Sequence, residues 1–351
     1  MFDILVSGAG PTGMVSALAF AKQGFLVAIV DPIDRAKEAL DHREMASSDF
    51  RSTAHLSKTI AFLEELDIWK EVCANACALK ALSIINVSSK KYLCEKHDSI
   101  VFNAYEIGKD AFGYNIPIKD TVAGLSKLVK CHEKISTFIG VGVDKITVTN
   151  NMAIARLSDG RSIDAKLIVG ADGGQSPVRT AAGISITSKF TGQTALAFRI
   201  IHEKPHLNIS TEIYSSGGPL TLVPLLEENG QNASAIVWMQ NNDQAEKLLR
   251  LSHNEFKDQL ENYSCGVVGK IDCCSKISSR KVALQVAHQI SSNRVVLIGE
   301  AAHLLPPIGA QGYNLSIQDI ITLTKLASFH KKELGSQSML LKYQKKRLPD
   351  I

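Results

Sequence analysis

Apolar positions along this 351-residue chain change period several times, and each change predicts a different element. Ile4-Leu5-Val6 is a short apolar run. Met14 to Lys22 has helical composition, and Leu26 to Val30 is a second apolar run ending at Asp31. Strand, helix and strand in that order predict a β-α-β unit. Two later runs, Ser162–Val169 and Val295–Ile298, also stop at a glycine, as strands do where a turn begins. Between them the pattern alternates, as in Thr194-Ala195-Leu196-Ala197-Phe198-Arg199-Ile200, the period of a half-buried strand in an antiparallel sheet. Leu82–Val87 is a shorter β-like run, and helix is predicted from Gln318 onward. The pattern predicts an α/β protein in which a Rossmann-like, nucleotide-binding lobe is interleaved with a smaller mixed-sheet lobe for substrate. Residues 1–72, 104–180 and 281–351 fall to the first lobe, and 73–103 and 181–280 to the second. No internal repeat is evident.

The glycines at the strand ends carry the chemistry. Gly8-Ala9-Gly10-Pro11-Thr12-Gly13 is the G-x-G-x-x-G dinucleotide fingerprint in its expected strand-to-helix setting. Gly8 permits the tight turn, Gly10 lets backbone approach a pyrophosphate, and Gly13 allows helix to pack on strand. Pro11 opens a helix whose N–H groups face the phosphates, and Asp31 is placed to accept hydrogen bonds from a ribose. This first site does not separate NAD from FAD. Gly170-Ala171-Asp172-Gly173-Gly174 and the stretch from Gly299 to Leu315 favour FAD, because a flavin dinucleotide needs contacts along its ribityl chain and ring as well. Acids at strand ends, Asp172 and Glu300, suit ribityl hydroxyls. Gly299, Gly309, Gln311, Gly312 and Asn314 complete the candidate contacts, the last glycines admitting backbone N–H groups to the N1–O2 edge of the ring.

These three segments resemble the class A flavoprotein aromatic hydroxylases, the para-hydroxybenzoate hydroxylase group, and within it the ubiquinone-biosynthesis hydroxylases. The likeness extends to Asp49–Ala54, Phe112–Pro117, Gly218–Leu220 with Val223–Leu225, and Ala235–Trp238. The resemblance implies an FAD-dependent monooxygenase. NAD(P)H would be co-substrate, bound in a groove without a fingerprint of its own, and one atom of O2 would go to a phenolic ring, polyprenylated in the ubiquinone branch. It implies a pyrophosphate contact for Arg51, against a plain surface arginine. Arg43 is a candidate to face the flavin or NAD(P)H. It implies a motif-shaping role for His303. Pro306 and Pro307 either border the place where oxygen meets the flavin or simply fix a turn. Three departures stand out. Glu300 replaces the usual Asp. Ile118 replaces an Asn or Gln facing the flavin, with Asn115 as the compensating candidate. The sequence stops at Ile351, where family members continue. A reductase or dehydrogenase on the same fold, or a flavin-binding assembly partner without turnover, remain the alternatives.

Composition narrows the picture further. A net charge of +4 does not point to nucleic acid. Basic residues crowd toward the end, in Lys331-Lys332 and from Lys342 to Arg347 beside Leu340-Leu341. This suits either an exposed amphipathic helix end or a peripheral contact with an acidic membrane or a biosynthetic complex. Seven cysteines form no zinc pattern, and no second histidine stands at ligand spacing from His303, so no metal is expected. Free thiols, no basic leader and no membrane-length apolar run predict a cytoplasmic, at most membrane-peripheral, protein. Tyr214, Trp238 and Met239 are candidates for the substrate cavity, with core packing as the commoner fate.

Overall fold

The computed structural model describes residues 1–34, 50–87, 98–215 and 217–351. Phe2–Ser7 is a central strand of an eight-stranded sheet, parallel to Val27–Asp31 on one side and to Ser162–Gly170 on the other. Val295–Leu297 and Ile135–Ile139 extend the parallel set outward. Ile4, Leu5 and Val6 are each fully buried, which is why this strand reads as an unbroken apolar run: both of its faces are covered. The helix Pro11–Lys22 is buried from Gly13 to Ala21 and packs against the helices Ile118–Cys131 and Gln311–Phe329.

The register matters for function. Ser7 pairs with Gly170 and with Val30, and Gly170 pairs with Leu297. The carboxyl ends of the strands therefore line up, and all three glycine segments begin at one edge of the sheet. That edge is where open parallel sheets bind ligands.

The second sheet has nine strands. Its order runs His303–Leu304, Ser278–Ala287, Ile186–His202, Asn232–Asn241, Gly218–Pro224, Ile209–Ser215, Ala81–Asn86 and Asp98–Asn103, with Ile271–Cys274 also paired to Ile186–His202. Only the pair Ile209–Ser215 with Ala81–Asn86 is parallel, so the sheet is mixed. Alternation decides its two faces. Leu196, Phe198 and Ile200 are buried with Leu248, Phe256 and Leu260 of the helices Asn242–Arg250 and His253–Tyr263. Ala195, Ala197 and Arg199 point the other way and stay partly exposed. Trp238 belongs to the helix-covered face, fully buried, with its ring centroid 6.0 Å from Phe256 and 4.9 Å from Tyr263. It is a core residue. Met239, its neighbour on the alternate face, is also buried, whereas Tyr214 is 37% exposed.

The strand Ser278–Ala287 carries this sheet past residue 281, the boundary expected from the pattern, and His303–Leu304 adds an edge strand from within the third glycine segment. A small third sheet, Ser52–Leu56 with Gly113–Pro117 and Cys77–Leu79, completes the architecture.

Candidate flavin site

The three glycines of the first turn have different jobs. Gly8 has φ +107°, and a Cβ there would fall 2.4 Å from the Ala171 carbonyl oxygen. A Cβ on Gly13 would fall 1.9 Å from the Gly8 oxygen. These two are fixed by backbone packing, the first against the second glycine segment. A Cβ on Gly10 would meet nothing within 4 Å, so Gly10 presents its backbone to open space. It also precedes the helix Pro11–Lys22, which has no side-chain cap and no acid in its first turn. Its first N–H groups are therefore available to an anion. Pro11 sits at the first helical position, where a missing N–H costs nothing.

Asp31 is almost wholly buried. Its carboxylate accepts the Ala9 N–H at 2.7 Å and the Ile33 N–H at 2.7 Å. It thus pins the glycine turn to the end of the second strand, a duty the sequence did not disclose. Asp172 stands across the turn. Its Oδ2 accepts the Val178 N–H at 3.0 Å and the Ser7 hydroxyl at 3.4 Å. Its Oδ1 is buried and has no partner among the described residues. Burial raises the Asp172 pKa. A buried acceptor without a donor, beside a dinucleotide turn, is what a cofactor hydroxyl would satisfy.

Gly299 has φ +59°, and a Cβ there would lie 2.9 Å from Ser316 Oγ and 3.1 Å from Thr12 Cγ2. The third segment is therefore wedged between the helix of the first turn and the helix Gln311–Phe329. The Gly299 N–H donates to Asp319 Oδ2 at 2.9 Å, His303 Nε2 meets the same oxygen at 2.7 Å, and Arg347 Nε donates to Oδ1 at 2.7 Å. Asp319 is fully buried and Arg347 nearly so. The Tyr343 hydroxyl donates to the Leu297 oxygen at 3.1 Å. The glycine segment is thus held from behind by the helix Gln337–Arg347. His303 is a strut in this network, and Glu300 is exposed beside it.

The helix Gln311–Phe329 starts after Gly309 at φ +59° and Ala310 at φ +53°. It has no side-chain cap and no acid in its first turn, and Gln311 and Gly312 are exposed. Asn314, expected to touch the cofactor, instead staples this helix in place. Its amide donates to the Ala54 oxygen at 2.8 Å and the Ala310 oxygen at 2.6 Å. Its oxygen accepts the Leu56 N–H at 3.0 Å and the Thr59 hydroxyl at 2.7 Å. That uses both amide protons and both lone pairs, leaving nothing of the side chain for a flavin.

The remaining expected residues scatter around this frame. Arg51 is exposed just before the strand Ser52–Leu56, and its carbonyl accepts the Ile118 N–H at 2.9 Å. Arg43 lies outside the described residues. Asn115 does not compensate for Ile118: it is buried and donates to the Pro224 oxygen at 2.9 Å, joining the small sheet to the second one. Pro306 is half-buried and Pro307 exposed in the turn before the long helix. His55 was not foreseen. It is fully buried, both ring nitrogens lack partners among the described residues, and its ring lies 5.0 Å from that of Tyr313. Burial pushes its pKa down to about 4. No group of three or more His, Cys, Asp or Glu placed for a metal occurs among the described residues.

An open glycine, an orphaned buried carboxylate oxygen and an uncapped helix start, brought to one sheet edge from three parts of the chain, fit a long dinucleotide. Residues 1–351 match the FAD binding domain family. The chain belongs to that family. It is a flavin-dependent oxidoreductase, and FAD is its cofactor. Among similar proteins, the ubiquinone hydroxylase UbiL of Rhodospirillum rubrum is 27% identical over 99% of this chain and 78% of the relative. The 3-demethoxyubiquinol 3-hydroxylase of Escherichia coli is 23% identical over 99% of this chain and 86% of its own length. Of solved structures, Pseudomonas aeruginosa PqsL in complex with 2-aminobenzoylacetate superposes with TM-score 0.81 at 18% identity, covering 99% of this chain and 92% of that one, which speaks for the fold.

Proposed function

We propose that the protein is an FAD-dependent monooxygenase that uses NAD(P)H and O2 to hydroxylate a phenolic ring, polyprenylated, in ubiquinone biosynthesis. The observation that carries the reading is the meeting of the three glycine segments with the second sheet. The third segment supplies both the flavin-side helix start and the edge strand His303–Leu304 of that sheet. Relatives named as ubiquinone hydroxylases over nearly the whole chain support the substrate class.

Bound FAD supplies the redox chemistry, taking electrons from NAD(P)H and activating O2. The chain's own contribution is placement. Gly10 and the N–H groups after Pro11 would hold the pyrophosphate. Asp172 Oδ1 would accept a hydroxyl of the sugar-alcohol chain. The Gly312 N–H at the start of the helix Gln311–Phe329 would face the ring edge that gains negative charge on reduction, where fixed donors are most effective. Ala195, Ala197 and Val237, small and partly exposed on the second sheet's open face, would border the phenol and keep water from it. Arg51 is the candidate for the pyrophosphate, and the Pro306-Pro307 turn for the oxygen approach. No described helix is long and apolar enough to cross a membrane. The lysines of the helix Gln337–Arg347 support a peripheral contact with an acidic membrane or a partner complex.

The test is anaerobic mixing of the FAD-loaded protein with NADPH or NADH, with and without a phenol. Flavin bleaching that accelerates with the phenol is the expected result. Equal bleaching without it, followed by turnover needing no oxygen, would replace the hydroxylase with a reductase. A flavin that neither nucleotide bleaches would leave a binding protein without turnover.

A further inference from the structure

We infer that the face of the second sheet turned away from the helices Asn242–Arg250 and His253–Tyr263 seats the isoprenoid tail of the substrate, leading it from the flavin edge to the strand Asp98–Asn103. This rests on the proposed phenolic substrate and adds a site for the rest of that molecule. Directly paired residues of neighbouring strands share a face. One unbroken row of pairs is Ala197, Val237, Thr221, Glu212, Ile84 and Ile100. Each of the six is at least partly exposed. The adjacent row on the other face, Leu196, Trp238, Leu220, Ile213 and Ile85, is buried under the two helices. Along these two rows the sheet has one filled face and one more open face, although Ala235 and Met239 beside Val237 on the latter are buried.

The open face is continuous with the flavin lobe at its inner end. There the Arg199 guanidinium lies over the Phe50 ring at 5.2 Å and pairs with Glu228, and Asn115 ties the small sheet to Pro224. At its outer end the apolar side chains stand in solvent: Ile100 is 61% exposed and Phe102, paired with Leu82, is 45% exposed. The one acid in the row, Glu212, accepts the Tyr214 hydroxyl at 2.8 Å. Apolar side chains at the two ends of this row, Ala197 and Val237 inward and Ile84 and Ile100 outward, with Thr221 and Glu212 between them, mark a ligand surface. An apolar chain attached to the reacting ring fits it without any partner protein.

The dimensions make the inference specific. Five interstrand steps separate Ile186–His202 from Asp98–Asn103, and at about 4.8 Å each they span about 24 Å. An isoprene unit adds four C–C bonds of roughly 1.5 Å, an extended length of about 5 Å. About five units would cross the face.

The experiment is a series of para-substituted phenols bearing no tail or tails of one to eight isoprene units, assayed with the FAD-loaded protein and with the double variant Ile100→Ser, Phe102→Ser. KM is expected to fall severalfold per unit and to level off near about five units. The double variant should raise KM by about tenfold or more for long tails, with tail-less phenol turnover and thermal midpoint unchanged. A KM independent of tail length, or a variant effect equal for all phenols, would overturn the inference. So would a variant that loses binding to anionic vesicles yet keeps the tail-length dependence, since the patch would then meet lipid. If no phenol stimulates the flavin at all, the functional reading fails on its own. A geranylgeranyl phenol with a photoreactive tail then decides the tail site: crosslinks within 82–86 or 98–103 support it, and crosslinks elsewhere refute it.

Discussion

Gly8 and Gly10 occupy the same turn, yet a methyl group added to each should do different things. At Gly8 it meets backbone at 2.4 Å and the positive φ adds strain, so Gly8→Ala should yield poorly folded protein without FAD. At Gly10 the space is open and the backbone is extended. Gly10→Ala should keep the apoprotein's thermal midpoint within a few degrees while raising the FAD Kd about tenfold or more. Isothermal titration with FAD reads the difference, and unchanged affinity in Gly10→Ala would remove the pyrophosphate from that loop. His55 offers a second test. Its folded pKa of about 4 lies below the ordinary 6.5, so the unfolded chain binds the extra proton and stability must fall as pH drops from 6.5 toward 4. The depression is worth about 3 kcal/mol when complete. His55→Leu should flatten that acid limb in urea titrations, and an unchanged limb would place the loss elsewhere. At this scale the glycines were legible because a turn dictates its residues. The duties of Asp31 and Asn314 were not, since a side chain's hydrogen bonds depend on groups that folding brings near: Asn314 meets Ala54, Leu56 and Thr59 from far along the chain.

Elements explain why the third glycine segment holds its shape. Asp319 gathers Gly299, His303 and Arg347 onto one carboxylate, and removing Arg347 would leave that buried carboxylate without its arginine partner. Arg347→Met should destabilise the protein by about 3–5 kcal/mol and weaken FAD retention, followed as flavin released during gel filtration. Stability lost with FAD affinity intact would make the network structural only. Ala310 gives the opposite sign. Its left-handed backbone at the start of the long helix is strained for any residue with a Cβ, so Ala310→Gly should raise stability by up to about 1 kcal/mol, read as a higher thermal midpoint. The long helix begins at Gln311, seven residues before the Gln318 that the pattern predicts, but the strands around these residues could be read from period. The hub could not, because Asp319 and Arg347 look like ordinary helix charges until their helices pack.

For the whole molecule, two sheets share one boundary. The parallel sheet lines up three strand ends, and the mixed sheet reaches into the third glycine segment through His303–Leu304. Alternation in the sequence foretold the second sheet, but which face would be covered depended on the helices Asn242–Arg250 and His253–Tyr263, and that decided Trp238 for the core. The two-lobe account makes oxygen transfer at this boundary its central claim. The most direct test is turnover of a prenylated phenol by the FAD-loaded protein under isotopically labelled O2, with mass spectrometry of the product. One labelled oxygen on the ring is the predicted result. A product whose new oxygen comes from water, or NAD(P)H consumed to peroxide with the phenol returned intact, would contradict it.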